Sequence, residues 1–180
     1  MKDGATKGFV RAYNAQAAVD SEAQVIVAAA VTQEANDKRQ LVPMLGQVVA
    51  TCGQAPTAAS ADAGYFSASS VTDEPLRGID LYVPPDRQPH GAPAPAATGP
   101  PPDAAAITQM RAKLQTVTGR AVYALRKAIV EPVFGQIKAN RGFRRFSFRG
   151  LRKVRAEWLV ICLTHNLLKL FRAGWIPEAA

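Results

Sequence analysis

The stretch PPDRQPHGAPAPAATGPPPDAAA, residues 84–106, divides the chain. Proline has no backbone N–H and a fixed φ, so a run this dense in it can neither sit inside a sheet nor continue a helix. Its Ala and Gly add little surface to bury, and it reads as a flexible or polyproline-like insertion. Whatever core the protein has must come from the two flanks. Before the insertion, β-branched apolar runs alternate with turn signals; after it, the apolar spacing is helical. The expected organisation is strands and a first helix over 1–83, the insertion over 84–106, and a helical part over 107–180.

In the first flank, FVRAYNAQAAV (9–19) and QVIVAAAVT (24–32) read as two strands of a hairpin, with Asp20, Ser21 and Glu22 as its turn. Asp37 is a plausible N-cap for a helix running to about Thr51, with Leu41, Met44, Leu45, Val48 and Val49 on one stripe, Pro43 in the first turns and Gly53 as the stop. Thr57 to Ala61 reads as a short strand ending at Asp62, where Gly64 permits a sharp exit, and Leu81 to Val83 as one more. From Ile107 helix is expected, broken near Gly119 and in a Gly142 to Gly150 loop. The last helix, about Leu151 to Arg172, is expected to bury Val154, Trp158, Leu159, Cys162 and Leu168. This order predicts an α/β layer with helices gathered at the C-terminal end.

Composition narrows the chemistry. Only Cys52 and Cys162 are present, with no CxxC pair, so neither a disulfide framework nor a thiolate zinc site is indicated, and a reducing cytoplasm fits. Apolar stretches such as Trp158 to Leu163 are far short of a membrane span, and the N-terminus has no signal-like apolar region. A formal net charge of +8 favours a polyanionic partner.

Two carboxylates stand in suggestive places: Asp62 at a strand end before a glycine, and Glu131 in a helical segment after the insertion. Convergent Asp and Glu oxygens suit Mg²⁺, and enzymes that cut phosphodiesters use such sets to hold two ions. Either acid alone reads as an ordinary turn or helix-surface residue. Around Glu131, however, Lys127 at i−4 and Lys138 at i+7 share its helix face, while Arg126 is rotated off it. Pro132 disfavours helical geometry at Glu131, which places this acid at a kink or a helix start. Downstream come Lys138, Arg141, Arg144, Arg145, Arg149, Arg152, Lys153 and Arg155, with Phe143, Phe146 and Phe148 interleaved and no acid before Glu157. Arg forks take phosphate oxygens in two-point geometry. The phenylalanines either anchor the loop to the core, the reading favoured for most of them, or stack on unpaired bases. His165 in the apolar final helix reads as a hydrogen-bonded core or interface residue, and His90 has no neighbouring metal-ligand partner.

ADAGYFS (61–67) and YALRKAIVEPVFGQIK (123–138) resemble the DDE transposases of bacterial insertion sequences, specifically the IS4-like group. YNAQAAVDSEAQVIVAAAVTQEANDKRQL and GFRRFSFRGLRKVRAEWLVICLTHNLLKL are similar to the same group, so the likeness spans nearly the whole chain apart from the insertion. The resemblance implies a ribonuclease-H-like mixed sheet with flanking helices, Mg²⁺ or Mn²⁺ held by two Asp and one Glu, and DNA strand cleavage and strand transfer. Asp62 corresponds to the second acid and Glu131 to the third. A Tyr, Arg, Glu, Lys signature surrounds the last acid in that family, and Tyr123, Arg126, Glu131 and Lys138 follow it except that four residues, not three, separate Arg126 from Glu131. Arg126 and Lys127 therefore both stand as candidates for the basic role. With Lys138, Arg141, Arg144 and Arg145, they and Tyr123 form the expected DNA-binding set.

The family's first acid sits on the strand before YNAQ, and twelve residues precede Tyr13. Of the upstream acids, Asp20 reads as a turn residue, Asp37 as a helix cap and Asp3 as part of a frayed end. The expectation is a fragment lacking its first strand and inactive alone. Its partners would be transposon-end and target DNA in a homo-oligomer, in the nucleoid-associated cytoplasm and without a membrane. The alternatives are a non-catalytic DNA-binding remnant, and an inert fold unable to complete its sheet.

Overall fold

The computed structural model describes residues 12–86 and 104–174. Asp3, His90 and most of the Pro/Ala-rich stretch lie outside the described residues, as do Phe9 to Arg11 of the expected first strand. The protein is α/β, built as two compact units, one from residues 1–35 and 129–180 and the other from 36–128. Among the described residues the strands form two separate pairs rather than one mixed sheet.

In the first unit, β1 (Asn14–Val19) and β2 (Ile26–Thr32) form the expected antiparallel hairpin, with Asn14 opposite Thr32 and a bulge between Ala18 and Val19. Asp20 makes the turn: its carboxylate accepts from the amides of Glu22 at 3.2 Å and Ala23 at 2.7 Å. The long C-terminal helix α5 (Leu151–Arg172) packs on β2. Ile26, Val31, Val133, Ile137, Val154, Trp158, Ile161 and Cys162 make the core.

Side chains on α5 also terminate the hairpin's polar groups. Trp158 Nε1 donates to Gln16 O at 2.9 Å, and Asn166 bridges both backbone groups of Ile26 at 2.8 and 2.9 Å. His165 is buried, with Nε2 3.0 Å from Gln24 O, a core histidine as expected. Burial pushes the Cys162 thiol up to about 12, with the Arg141 charge pulling the other way. Leu159 departs from expectation: it is 53 % exposed. Trp158 and Cys162 face the sheet, and a neighbour one residue along is rotated about 100° away from it.

In the second unit, α1 (Leu41–Cys52) buries Leu41, Met44, Leu45 and Val48 and stops at Gly53, whose φ is +72°. Its N-cap is Gln40 without a side-chain cap bond, so Asp37 is not the cap. Instead Asp37 O accepts from Gln40 N at 2.8 Å, closing a turn one step earlier. The strands β3 (Ala58–Ser60) and β4 (Asp80–Tyr82) pair in parallel, with Ala58 opposite Asp80. Parallel pairing requires a crossover. It is made by 3₁₀ turns at Ala63–Tyr65 and Glu74–Leu76 around the short helix α2 (Ala68–Val71). Leu41, Leu45, Phe66, Leu76, Ile79, Leu81, Val83 and Met110 form this unit's core.

The helix α3 (Ala104–Gln115) begins inside the stretch read as insertion. The break that follows, expected near Gly119, falls at Thr116. Thr116 Oγ1 accepts from Gly119 N at 2.9 Å, starting α4 (Val117–Gly135). Gly119 is required by close approach: a Cβ there would lie 2.0 Å from Lys113 O. No helix among the described residues is long and apolar enough to cross a membrane.

Candidate functional site

Asp62 leaves β3 where the sequence places it, at the strand end. Ala61 N still donates to Tyr82 O at 3.2 Å, and the next residue turns away into the 3₁₀ segment. The exposed Asp62 carboxylate caps that turn, accepting from Gly64 N at 2.9 Å through Oδ1. The residue that sequence reasoning missed is Asp37. Its carboxylate comes to the same glycine: a Cβ on Gly64 would sit 3.0 Å from Asp62 Oδ1 and 3.2 Å from Asp37 Oδ2. Gly64 thus leaves room for two carboxylates at one point of the chain. Beside them, the Tyr65 hydroxyl is raised well above the usual tyrosine range, by burial first and then by the charges of Asp37 and Asp62. The signal available in the sequence was the pairing of an acid in a loop with a glycine two residues past another acid, which is too common to single out.

Glu131 is exposed on α4 in the other unit. The helix passes through it: Pro132 lies inside α4, so Glu131 is neither a helix start nor a helix end. The distortion comes four residues later, where Gln136–Asn140 winds as a π turn. The wider π turn takes more residues per revolution, so Lys138 departs from the face that a straight helix would give it at i+7 from Glu131. Lys138 Nζ lies 5.3 Å from the Phe134 ring centre. Lys127, exposed, is one turn before Glu131 in α4. Arg126 is turned to another face, with its guanidinium 5.3 Å from the Tyr123 ring centre and its Nε buried without a hydrogen bond among the described residues.

Residues 141–150 form the expected loop, with Gly142 and Gly150 at φ +76° and +85°. Its anchor is Phe146 alone of the three phenylalanines. Phe146 meets Trp158 and Tyr13 edge-on at 6.3 and 6.2 Å, and Tyr13 Oη accepts from Gly150 N at 2.8 Å. Phe143 and Phe148 are 41 % and 55 % exposed, which corrects the expectation that most of them anchor the loop. Glu157 on α5 holds the loop from below, accepting from Ser147 N at 2.7 Å and Phe148 N at 3.0 Å. Burial works to raise the Glu157 carboxyl, but these amides hold it below the usual carboxylate range.

The basic residues of the loop differ in what they reach. Arg141 is half-buried, directed at α5, where its guanidinium meets Thr164 Oγ1 and, at 3.5 Å, Ile161 O. Arg144 donates through Nε to Lys138 O at 3.2 Å and is otherwise exposed, as are Arg145 and Arg149. The loop therefore presents cations and two aromatic rings on a fixed backbone. That arrangement suits phosphates beside unstacked bases.

Residues 102–171 match the family model of the transposase DDE domain. The match supports a DDE transposase. It takes in Tyr123, Arg126, Lys127, Glu131, Lys138, Arg141, Arg144 and Arg145, and it does not reach Asp62. No curated protein and no solved structure matches the chain. DDE transposase domains in general use a divalent metal, and carboxylate oxygens, such as those of Asp37 and Asp62 in one unit and of Glu131 in the other, are hard ligands of the kind such an ion takes. Within each unit, no group of three or more His, Cys, Asp or Glu side chains is placed to hold an ion among the described residues.

Proposed function

We propose that the chain carries catalytic residues of an IS4-like DDE transposase with a ribonuclease-H-like fold, acting on transposon-end DNA at the nucleoid. The observation that carries this reading is the family match around Glu131, which encloses an exposed acid together with the exposed cations of the following loop. Asp62 and Glu131 would hold Mg²⁺ or Mn²⁺, whose chemistry when bound is to activate the attacking oxygen and stabilise the leaving oxygen of a phosphodiester. Lys127, Lys138, Arg144 and Arg145 would take the phosphates flanking the scissile bond. Tyr123 and Arg126, whose guanidinium lies 5.3 Å from the Tyr123 ring centre, belong to the same proposed set, and Arg141 fixes the loop as well as adding charge. On this reading the active assembly is a homo-oligomer.

The test is divalent-dependent nicking of duplex DNA bearing the element's ends. Nicking by the chain, lost in Asp62→Ala and Glu131→Ala while DNA affinity is kept, supports the enzyme. Salt-sensitive DNA binding with no cleavage under any divalent ion leaves the second reading, a DNA-binding remnant, which the exposed arginines and phenylalanines of the 141–150 loop favour.

A further inference from the structure

The π turn at Gln136–Asn140 carries Lys138 off the face of Glu131, and the side chain it meets instead is Phe134, with Nζ 5.3 Å from the ring centre. Among the described residues no carboxylate lies within ion-pair distance of Lys138. What holds this exposed residue's ammonium is the electron-rich face of an aromatic ring. A lysine on an open helix surface samples many rotamers, and a phosphate that binds it must first collect them into one. A ring that already holds the ammonium removes part of that cost before the phosphate arrives.

The ring is itself fixed. Phe134 is half-buried and lies against Trp158, with ring centres 6.0 Å apart and planes 15° from parallel. Trp158 is buried and its Nε1 is tied to Gln16 O, so the support does not swing. The same indole takes the edge of Phe146, the anchor of the 141–150 loop. Lys138 is joined to that loop through the backbone as well. A helix end leaves its last carbonyls without a partner, and here the loop supplies the donors: Phe143 N to Ile137 O at 3.1 Å and Arg144 Nε to Lys138 O at 3.2 Å. We infer that Phe134 is a positioning residue, whose ring, packed on Trp158, holds the Lys138 ammonium at the head of the basic loop in place to receive a DNA phosphate oxygen. The inference rests on the reading of Lys138 as a phosphate ligand, and adds to it a residue that acts through Lys138.

Two measurements on the full chain test it, one without DNA and one with it. In the free chain, NMR should find the ε-protons of Lys138 shifted upfield by the Phe134 ring current. The shift should vanish in Phe134→Leu, which keeps apolar bulk against Trp158. In anisotropy titrations of a labelled duplex, Phe134→Leu should weaken binding roughly two- to fivefold, and Phe134→Tyr, which keeps a ring face, should bind as the wild type does. In a Lys138→Gln background, Phe134→Leu should change nothing further, because the two residues act as a unit. Helical circular dichroism and the urea midpoint report on the fold, and Phe134→Met gives the same readouts should the leucine variant impair folding. Absence of the ring-current shift overturns the inference and leaves the DNA reading standing. So does an unchanged affinity in Phe134→Leu, or a loss that persists in the Lys138→Gln background. If Lys138→Gln binds the duplex as tightly as the wild type while the ring-current shift is present, the phosphate role of Lys138 fails, and the inference falls with it.

Discussion

Two glycines of the second unit look alike in the sequence and differ in what surrounds them. At Gly119 the space a side chain would fill is occupied by the backbone of Lys113, which cannot swing away without moving the end of α3. At Gly64 the nearest atoms are the carboxylate oxygens of Asp62 and Asp37, at side-chain ends that can rotate. Gly119→Ala is therefore expected to destabilise the protein by on the order of 3 kcal/mol through overpacking. Gly64→Ala should cost within about 1 kcal/mol yet push the two carboxylates off their present positions. Urea unfolding measures the first difference, and Mn²⁺ binding followed by electron paramagnetic resonance measures the second. Equal unfolding midpoints for the two variants would contradict the distinction, as would unaltered Mn²⁺ affinity in Gly64→Ala if the wild type binds the ion through Asp62. The same contrast explains what was legible at this scale. That Asp62 ends a strand follows from the turn residues after it, whereas Asp37 reaches Gly64 only through the crossover, a relation with no local trace.

Among the elements, those set by local pattern were readable and those set by tertiary packing were not. The hairpin, α1 and α5 follow from apolar period, Gly53 and the glycines at 142 and 150; the bounds of α1 and α5 agree within a few residues, whereas β1 begins at Asn14 and Phe9 to Arg11 lie outside the described residues. The helix through Pro132 was not readable, because the intrinsic penalty of proline is overridden by burial of Val133 and Ile137 in the core. Nor was the role of Glu157, an acid after a basic run that reads as a surface residue but organises the loop before it. This gives a pH prediction. The folded Glu157 carboxyl is held below its ordinary value near 4.5, so its contribution is fully present above that value and is lost as pH falls through the lower folded one. Amide exchange at Ser147 and Phe148, measured relative to the helix amides of α5, should lose protection in that acid window. Glu157→Gln should lose about 1 kcal/mol of that protection already at neutral pH, since one acceptor oxygen is replaced by a donor. Protection that is flat with pH, or kept in the variant, would show that the loop is held by Phe146 and Gly150 alone.

For the whole molecule, the net charge of +8 sets an expectation of polyanion binding without saying where it occurs. The structure divides the cations into those committed to the fold and those left to a ligand. Arg141 is tied to α5, and Arg155 donates to Val31 O at 3.1 Å. Lys113 meets Asp80 and donates to Leu81 O at 2.6 Å, and Arg111 forms a two-point pair with Asp86 at 2.6 and 2.8 Å. Arg145 and Arg149 are exposed on the loop, with Arg144 beside them. Counterion release then predicts which substitutions matter. The logarithm of DNA affinity should fall linearly with the logarithm of salt concentration, and Arg144→Ala, Arg145→Ala and Arg149→Ala should each reduce that slope by about 1. Lys113→Ala and Arg111→Ala remove the same charge from the chain but should leave the slope unchanged and lower stability instead, because their carboxylate partners lose an ion pair. Fluorescence anisotropy with a labelled duplex over a salt series, paired with thermal unfolding of each variant, separates the two groups. If all five variants change the slope equally, binding follows overall charge, and the loop has no special part in it.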